Sequence, residues 1–222
     1  MKALHIFPLF GNDLFNGSEY YEYMLSKNLV KLGVEVNVCT TLCRRLRPTS
    51  AFSLQWENSY NEAFERVDGM NIHRFPVTFS TPPNMGHLIS RLVFKRWEKE
   101  ENKHGKMLRG SKNFVEYLKS RAASRPPFYD YLTLLGRGPH SVRLTSWILK
   151  TIQSYDVILV GFVPFALIWY LTRITQSFRK PLVILPLFHP NDVYHHFQIF
   201  FQCFSQATAI LSQTPYSNAL FK

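Results

Sequence analysis

Two polar residues follow an apolar segment near the C-terminal end of the chain, in the run PLFHPND. His189 comes directly after that segment, and Asp192 follows three residues later. Histidine can move a proton near neutral pH, and in α/β proteins functional groups collect where parallel strands end. We therefore expect His189 to be a catalytic group and Asp192 to contact a ligand. The simpler alternative is a solvent-facing loop histidine with no role.

The same region raises the question of a metal site, because His195 and His196 follow closely. The pattern predicts a helix over 193–204, on which these adjacent side chains point about 100° apart. They cannot both face one metal ion with His189 and Asp192 without special geometry. We therefore expect no metal.

A second candidate is the loop 10–18, which contains Gly11 and Gly17. Gly17 lets backbone approach a ligand closely, and Ser18, a good N-cap residue, opens a helix whose N-terminus attracts anions. One interpretation is an anion site at Gly17 and the backbone N–H groups of Ser18 and Glu19. The alternative is a tight turn at Asn16 and Gly17 before a capped helix.

Known phosphate motifs do not fit this loop. Gly11 and Gly17 lie six residues apart, which matches neither G-x-G-x-x-G nor the P-loop, and no lysine follows Gly17. Cys39, Thr40 and Thr41 stand where a dinucleotide fold needs a ribose-binding acid. These departures count against a nucleotide-dependent oxidoreductase.

The elements that must position these loops alternate between apolar strands and helices. We predict helices at 18–32, 87–103, 144–152, 164–174 and 193–204, and strands at 3–7, 34–39, 70–75, 157–161, 182–188 and 208–211. Strands that are apolar throughout indicate a parallel sheet covered on both faces. The predicted class is therefore α/β, a Rossmann-like, doubly wound, mainly parallel sheet. Ligands bind beyond the carboxyl ends of such strands, at the loops 10–18, 161–164 and 188–192.

Composition sets further bounds on a chain of 222 residues with a formal charge of +11. Eleven Lys or Arg stand against four Glu between Gly86 and Arg125, which favours an anionic surface nearby. Three cysteines and the absence of a leader pattern favour the cytoplasm, with Cys39 and Cys43 as ordinary core or surface residues. The uncharged run 157–172 is interrupted by Gly161 and Pro164, and is too short to span a membrane.

The order of several segments resembles the N-terminal half of the family 4 retaining glycosyltransferases, which have the GT-B architecture. These segments are HIFPLFG, NGSEYYEYMLSKNLVKLGVEVNVCTT, VDGMNIHRFPV, YDVILVGFVPFAL, KPLVILPLFHPND and TAILSQTPYSNALF. The likeness covers most of the chain and is weakest over 42–65 and 84–130. It implies one Rossmann-like acceptor-side domain over 1–222 with a basic helical insertion at about 84–130.

The resemblance also implies roles for the two loops. The glycine loop would reach the phosphates of a nucleotide-sugar donor through Gly17 and Ser18, with Gly11 in support, and His189 would contact the transferred sugar. Further expected contacts to sugar or acceptor are Asn12, Phe162 and Asp192. The family needs no metal at the phosphates and no cofactor beyond the donor, and this chain has no Asp-x-Asp sequence.

Two departures from the family pattern matter. Asn16 and Gly17 stand where the family often has two glycines, and the donor domain with its paired glutamates is absent. We therefore expect these 222 residues to be a domain or truncated product of a transferase, inactive alone and in need of a C-terminal domain or partner chain.

The expected acceptor is anionic or membrane-associated, a glycan or a lipid-linked molecule, and no nucleic acid is expected. Family members with lipid-linked acceptors use a basic region of the N-terminal domain at the membrane, which would here comprise Arg91, Lys95, Arg96, Trp97 and Lys99. The expected location is the cytoplasm, including the inner face of the membrane. The alternatives are a solvated helical face and a non-enzymatic basic module that binds membrane, nucleic acid or a partner.

Overall fold

The computed structural model describes residues 1–14, 17–50, 52–104, 123, 125–189 and 195–214, with side chains in the second helix described as far as Lys95. Its strands are β1 Lys2–Ile6, β2 Glu35–Thr41, β3 Cys43–Ser50, β4 Ser53–Asn58, β5 Phe64–Val67, β6 Met70–Phe75, β7 Val157–Gly161, β8 Leu182–Leu185 and β9 Ala209–Ile210. Its helices are α1 Gly17–Lys31, α2 Pro83–His104, α3 Phe128–Arg137, α4 Val142–Thr151, α5 Ala166–Phe178 and α6 Gln198–Gln206. A 3₁₀ turn, Ile152–Ser154, follows α4.

Seven strands form one sheet in the order β5-β6-β2-β1-β7-β8-β9. All neighbours are parallel except the outer pair β5 and β6, which run antiparallel. Helices cover the sheet, so the predicted Rossmann-like α/β class with a mainly parallel sheet is confirmed.

Apolar side chains alternate between the two faces of the sheet and build a core on each. In β7, Ile158 and Val160 join the larger core with α4 and α5, whereas Leu159 joins the core beneath α1. In β8, Ile184 and Leu185 divide in the same way. Because successive strand residues point to opposite faces, a strand buried on both sides must be apolar throughout.

Helix α1 packs against the sheet and ends where glycine permits a left-handed backbone. Gly33 has φ +82°, and its N–H donates to the Val30 carbonyl, which closes the helix. The predicted N-cap at Ser18 is wrong, because the helix already begins at Gly17. The Ser18 hydroxyl donates instead to the carboxylate of Glu19 at 2.6 Å.

Region 42–70, whose sequence pattern is ambiguous, contains an antiparallel hairpin of β3 and β4 that was not predicted. A turn at Asp68 and Gly69, which have φ of +49° and +79°, joins β5 to β6. Helix α3 was also missed, and it packs against α2 and β4.

The final predicted helix begins too early. Helix α6 starts at Gln198, after Phe197 in an extended conformation, so His195 and His196 precede the helix and do not lie on it. Residues 195–197 are also buried, and no polar N-cap marks the true start of the helix.

Candidate functional site

Three loops emerge at one edge of the sheet, because β1, β7 and β8 are neighbours and run in the same direction. They are the loops predicted from the sequence, after Ile6, Gly161 and Leu185. The N–H of Val163 donates to the Pro186 carbonyl at 3.2 Å and joins two of them directly. This edge is where an open parallel sheet presents ligand-binding groups.

The loop after β1 is pinned to the two neighbouring strands. The N–H of Phe7 donates to the Cys39 carbonyl, the hydroxyl of Thr41 donates to the Pro8 carbonyl at 2.7 Å, and Arg74 donates to the Phe10 carbonyl at 3.2 Å. These contacts fix the path of the loop before the predicted anion site begins.

The glycine-loop residues differ in their surroundings. A Cβ added at Gly11 would overlap the Tyr60 hydroxyl and the Asp13 carboxylate, whereas one at Gly17 would meet no atom of the described residues within 4 Å. Asn12 and Gly17 are exposed, and Ser18 is half-buried. Asn16 lies outside the described residues. Gly11 thus permits a close contact within the fold, and Gly17 leaves open space in front of helix α1.

Two carboxyl groups lie close behind that helix N-terminus. Glu19 is in the first turn and 5% exposed, and Glu22 is fully buried one turn later. A carboxylate in the first turn offsets part of the helix dipole, so the N-terminus offers a bound anion mainly its backbone N–H groups.

No sequence pattern pointed to Glu22 as a functional residue. Neither of its carboxyl oxygens has a hydrogen-bond partner within the described chain, and a Cβ at Gly161 would overlap Oε1. Burial and the charge of Glu19 raise the pKa of Glu22 well above its usual value. Burial therefore favours the neutral, protonated form of this carboxyl group, which lies beneath the junction of the first two loops.

The loop after β7 is held by aromatic and cationic contacts. Phe162 is half-buried, and its ring lies edge-on to Phe165 at 5.0 Å. Arg137, at the end of α3, donates from Nε to the Pro164 carbonyl at 3.1 Å, and its guanidinium lies 5.7 Å from the Phe165 ring. Helix α3 therefore places the permanently charged guanidinium of Arg137 at the same edge. No sequence pattern predicted this position.

His189 is exposed at the loop after β8, whereas His195 is buried behind it. The backbone N–H of His189 donates to Nδ1 of His195 at 3.1 Å, and the two rings lie 5.3 Å apart. Burial, together with the charges of His189, Arg137 and His196, lowers the pKa of His195 to about 3. His195 is thus neutral, accepts at Nδ1, and supports the backbone of His189.

The other histidine and aspartate of this motif are placed differently. The ring of His196 lies 5.5 Å from the buried ring of Phe188. Asp192 lies outside the described residues. Within the described ranges, no group of three or more His, Cys, Asp or Glu side chains is arranged to hold a metal ion.

The cysteines are buried free thiols, as the sequence analysis expected for Cys39 and Cys43. Burial raises the pKa of all three, for Cys43 to about 11 and for Cys203 to about 12. Neutral buried thiols of this kind are inert packing groups.

Helix α2 exposes both charged and apolar side chains. Ile89 and Val93 face the core, whereas Arg91 and Lys95 are exposed beside Leu88 and Leu92, which are 57% and 46% exposed. Arg96, Trp97 and Lys99 belong to α2, but their side chains lie beyond the described part. Neighbouring α3 exposes Phe128, Tyr131 and Leu135.

None of the helices in the described ranges is long and apolar enough to cross a membrane.

No known protein family and no curated protein matches this chain.

Proposed function

We propose that this chain is the acceptor-binding N-terminal domain of a retaining glycosyltransferase that uses a nucleotide-activated donor. The observation that supports this most is that the loops of two exposed residues, His189 and Gly17, begin at the same edge of the sheet. Their loops follow β8 and β1, which are separated by one strand, so the sheet spacing brings them within about 10 Å at their origins.

In this proposal, His189 contacts the transferred sugar, and its exposed ring suits that role. Its position depends on His195, which stays neutral and accepts the backbone N–H of His189. A charged imidazolium at 195 could not accept that hydrogen bond, so burial of His195 preserves the loop geometry.

The phosphates of the donor would approach the first turn of α1. Gly17 leaves its backbone uncovered, and the first N–H groups of the helix have no partners within the helix. The leaving diphosphate also needs donors on its other side. We therefore propose that transfer requires a second, donor-binding domain. The domain formed by these 222 residues would by itself bind the acceptor but not the donor.

A second candidate is a non-enzymatic module that binds an anionic membrane surface. It is favoured by Arg91 and Lys95 beside the exposed Leu88 and Leu92 on α2. Basic groups attract anionic headgroups, and apolar groups enter the boundary region beneath them. The same surface would also serve a transferase with a lipid-linked acceptor.

Calorimetric titration with uridine and guanosine diphosphate sugars tests the first proposal. The 222-residue chain and the full-length product of its gene are titrated side by side, and sugar transfer is assayed with the same donors. Donor binding and transfer only by the full-length product support the proposal. Tight donor binding by the 222 residues themselves, or a full-length product that neither binds nor transfers any sugar, would contradict it.

A further inference from the structure

The carboxyl edge has a second group of polar side chains, beside the loop after β1. Tyr60, in the connection between β4 and β5, has the guanidinium of Arg44 at 4.4 Å from its ring centroid and that of Arg74 at 4.1 Å. Arg44 comes from β3 and Arg74 from β6, so three separate elements meet at one ring. Such an arrangement concentrates two permanent positive charges at the edge.

The carboxylate of Asp13 is bound by this group. Its Oδ1 accepts from the Tyr60 hydroxyl at 2.5 Å, and its Oδ2 lies 3.3 Å from Nη2 of Arg44. The side chains of Asp13 and Arg44 are 39% and 52% exposed, so solvent reaches both. A guanidinium and a hydroxyl that converge on two oxygens form a set of donors suited to a phosphoryl group.

Arg74 supplies further donors beneath the ring. Its side chain is 1% exposed, and Nη2 contacts Glu65 and the Phe10 carbonyl. Its Nε and Nη1 are buried and have no acceptor among the described residues. A buried guanidinium with two nitrogen atoms that lack acceptors reduces stability, which suggests a partner that this arrangement lacks.

Two details keep this site ready for an anion. A Cβ at Gly11 would overlap both the Tyr60 hydroxyl and the Asp13 carboxylate, so glycine is needed for their contact. Burial and the Asp13 carboxylate raise the pKa of Tyr60 to about 12, against the opposing charges of Arg74 and Arg44. The hydroxyl therefore remains a proton donor at any physiological pH.

We propose that Arg44, Arg74 and the Tyr60 hydroxyl form a binding site for a phosphoryl group, which the Asp13 carboxylate occupies in this structure. A phosphoryl group displaces Asp13 from Arg44 and the hydroxyl, and movement of the Tyr60 ring uncovers the unused donors of Arg74. If the proposed transferase function holds, on which this identification of the ligand rests, the phosphoryl group belongs to the acceptor.

Inorganic phosphate and pyrophosphate, titrated at low and constant ionic strength and followed by NMR, test the site without any sugar transfer. Asp13→Asn removes the competing charge and should tighten phosphate binding by about threefold or more. Arg44→Gln should weaken it by a similar factor. Glu62→Gln and Arg143→Gln make the same changes in net charge at exposed positions and should have little effect.

Equal tightening by Asp13→Asn and Glu62→Gln would mean that only overall charge matters, and would overturn the site. Phosphate binding that is unchanged in Arg44→Gln would also overturn the site. So would the absence of phosphate binding by both the wild type and Asp13→Asn. Thermal melts confirm that each variant is folded. A full-length protein without transferase activity whose phosphate binding follows these variants would refute the proposed function and leave the phosphoryl site in place.

To separate the possible sources of the phosphoryl group, a water-soluble sugar 1-phosphate is compared with vesicles that contain phosphatidic acid. A response of the sugar phosphate to Asp13→Asn identifies a soluble phosphorylated ligand. A response confined to the vesicles identifies a lipid phosphate.

Discussion

The carboxyl group of Glu22 lies directly against the α-carbon of Gly161, so helix α1 and strand β7 meet at a contact that leaves no room for a methyl group. The ring of Phe7 would also overlap a Cβ at this position. Two of the three edge loops begin at this point, and the acid beneath them is fully buried without a hydrogen-bond partner in the described chain.

Glu22→Gln should stabilise the protein at neutral pH. In the unfolded chain the carboxyl ionises near 4.5, whereas burial and Glu19 raise its pKa in the folded state. Below about pH 4.5 this group does not affect the free energy of unfolding. Above that pH the free energy of unfolding decreases by up to about 1.4 kcal/mol per pH unit, until the pH reaches the pKa of Glu22 in the folded state.

The glutamine variant should abolish that slope and be about 1–3 kcal/mol more stable at pH 7. Urea unfolding between pH 4 and 8 measures the difference, with exposed Glu62→Gln as the control. A constant difference between Glu22→Gln and wild type at every pH would show that the acid is not protonated in the fold.

His5 should make the fold sensitive to acid. It is buried beneath α1 with Nδ1 at 2.7 Å from the Ser26 hydroxyl, and burial lowers its pKa from 6.5 to about 3. Below pH 6.5 His5 is protonated in the unfolded chain but stays neutral in the folded chain. The free energy of unfolding therefore decreases as the pH falls from 6.5 towards 3. His195, with its pKa lowered to about 3, adds to the same trend.

The variant His5→Asn can keep a donor near Ser26 but cannot titrate. We expect lower stability at pH 7, because the smaller side chain leaves a void, but a weaker loss of stability between pH 6.5 and 4. Unfolding in urea at several pH values checks this, with exposed His87→Asn on α2 as the control. An unchanged pH dependence in His5→Asn would assign the acid sensitivity to other groups.

Gly161→Ala should destabilise the fold by about 1–3 kcal/mol, because the new methyl group overlaps Glu22 and Phe7. Adding Glu22→Ala should recover part of that loss by removing one of the two neighbours. Gly17→Ala is the matched control, since its methyl group meets no atom within 4 Å in the described part of the chain, and it should leave the melting temperature nearly unchanged. Purely additive effects of Gly161→Ala and Glu22→Ala would argue against a direct contact.

His189→Ala should lower kcat of the full-length protein by about 10–100-fold with little change in stability, because an exposed loop side chain contributes little packing. Gly17→Val should raise the KM for the donor by covering the backbone at the first turn of α1. Steady-state kinetics and thermal melts measure both, with His87→Ala as the control. Loss of stability in proportion to activity would refute a direct role for His189.

Replacing Arg91 and Lys95 by Gln should weaken binding to anionic vesicles, by about 1 kcal/mol for each charge removed. Leu88→Asp on the same helix should weaken it further, because Leu88 is 57% exposed and free to enter the lipid boundary. Vesicle sedimentation provides the measurement.

Helix α4 offers matched controls for this surface in Arg143, Lys150 and the 43% exposed Leu149. If the α4 variants weaken vesicle binding as much as the α2 variants do, the attraction comes from overall charge and not from α2.

The sequence alone predicted the parallel strands and the edge at which their loops meet, but not the hairpin of β3 and β4 or helix α3. Apolar runs at β1, β2, β7 and β8 predict buried parallel strands, and Gly33 predicts the end of α1, because period, capping and turn chemistry act over a few residues. Parallel strands share one carboxyl edge, so His189 and Gly17 could be assigned to it without coordinates.

Only the tertiary structure decided which side chains meet there. Glu22 reaches Gly161 across 139 residues of sequence, and Tyr60 reaches Asp13 across 47. The hydrogen bond from the His189 N–H to the buried ring of His195 likewise depends on tertiary packing. No local pattern encodes such contacts, because burial and electrostatic environment are set by elements that fold against one another from distant parts of the chain.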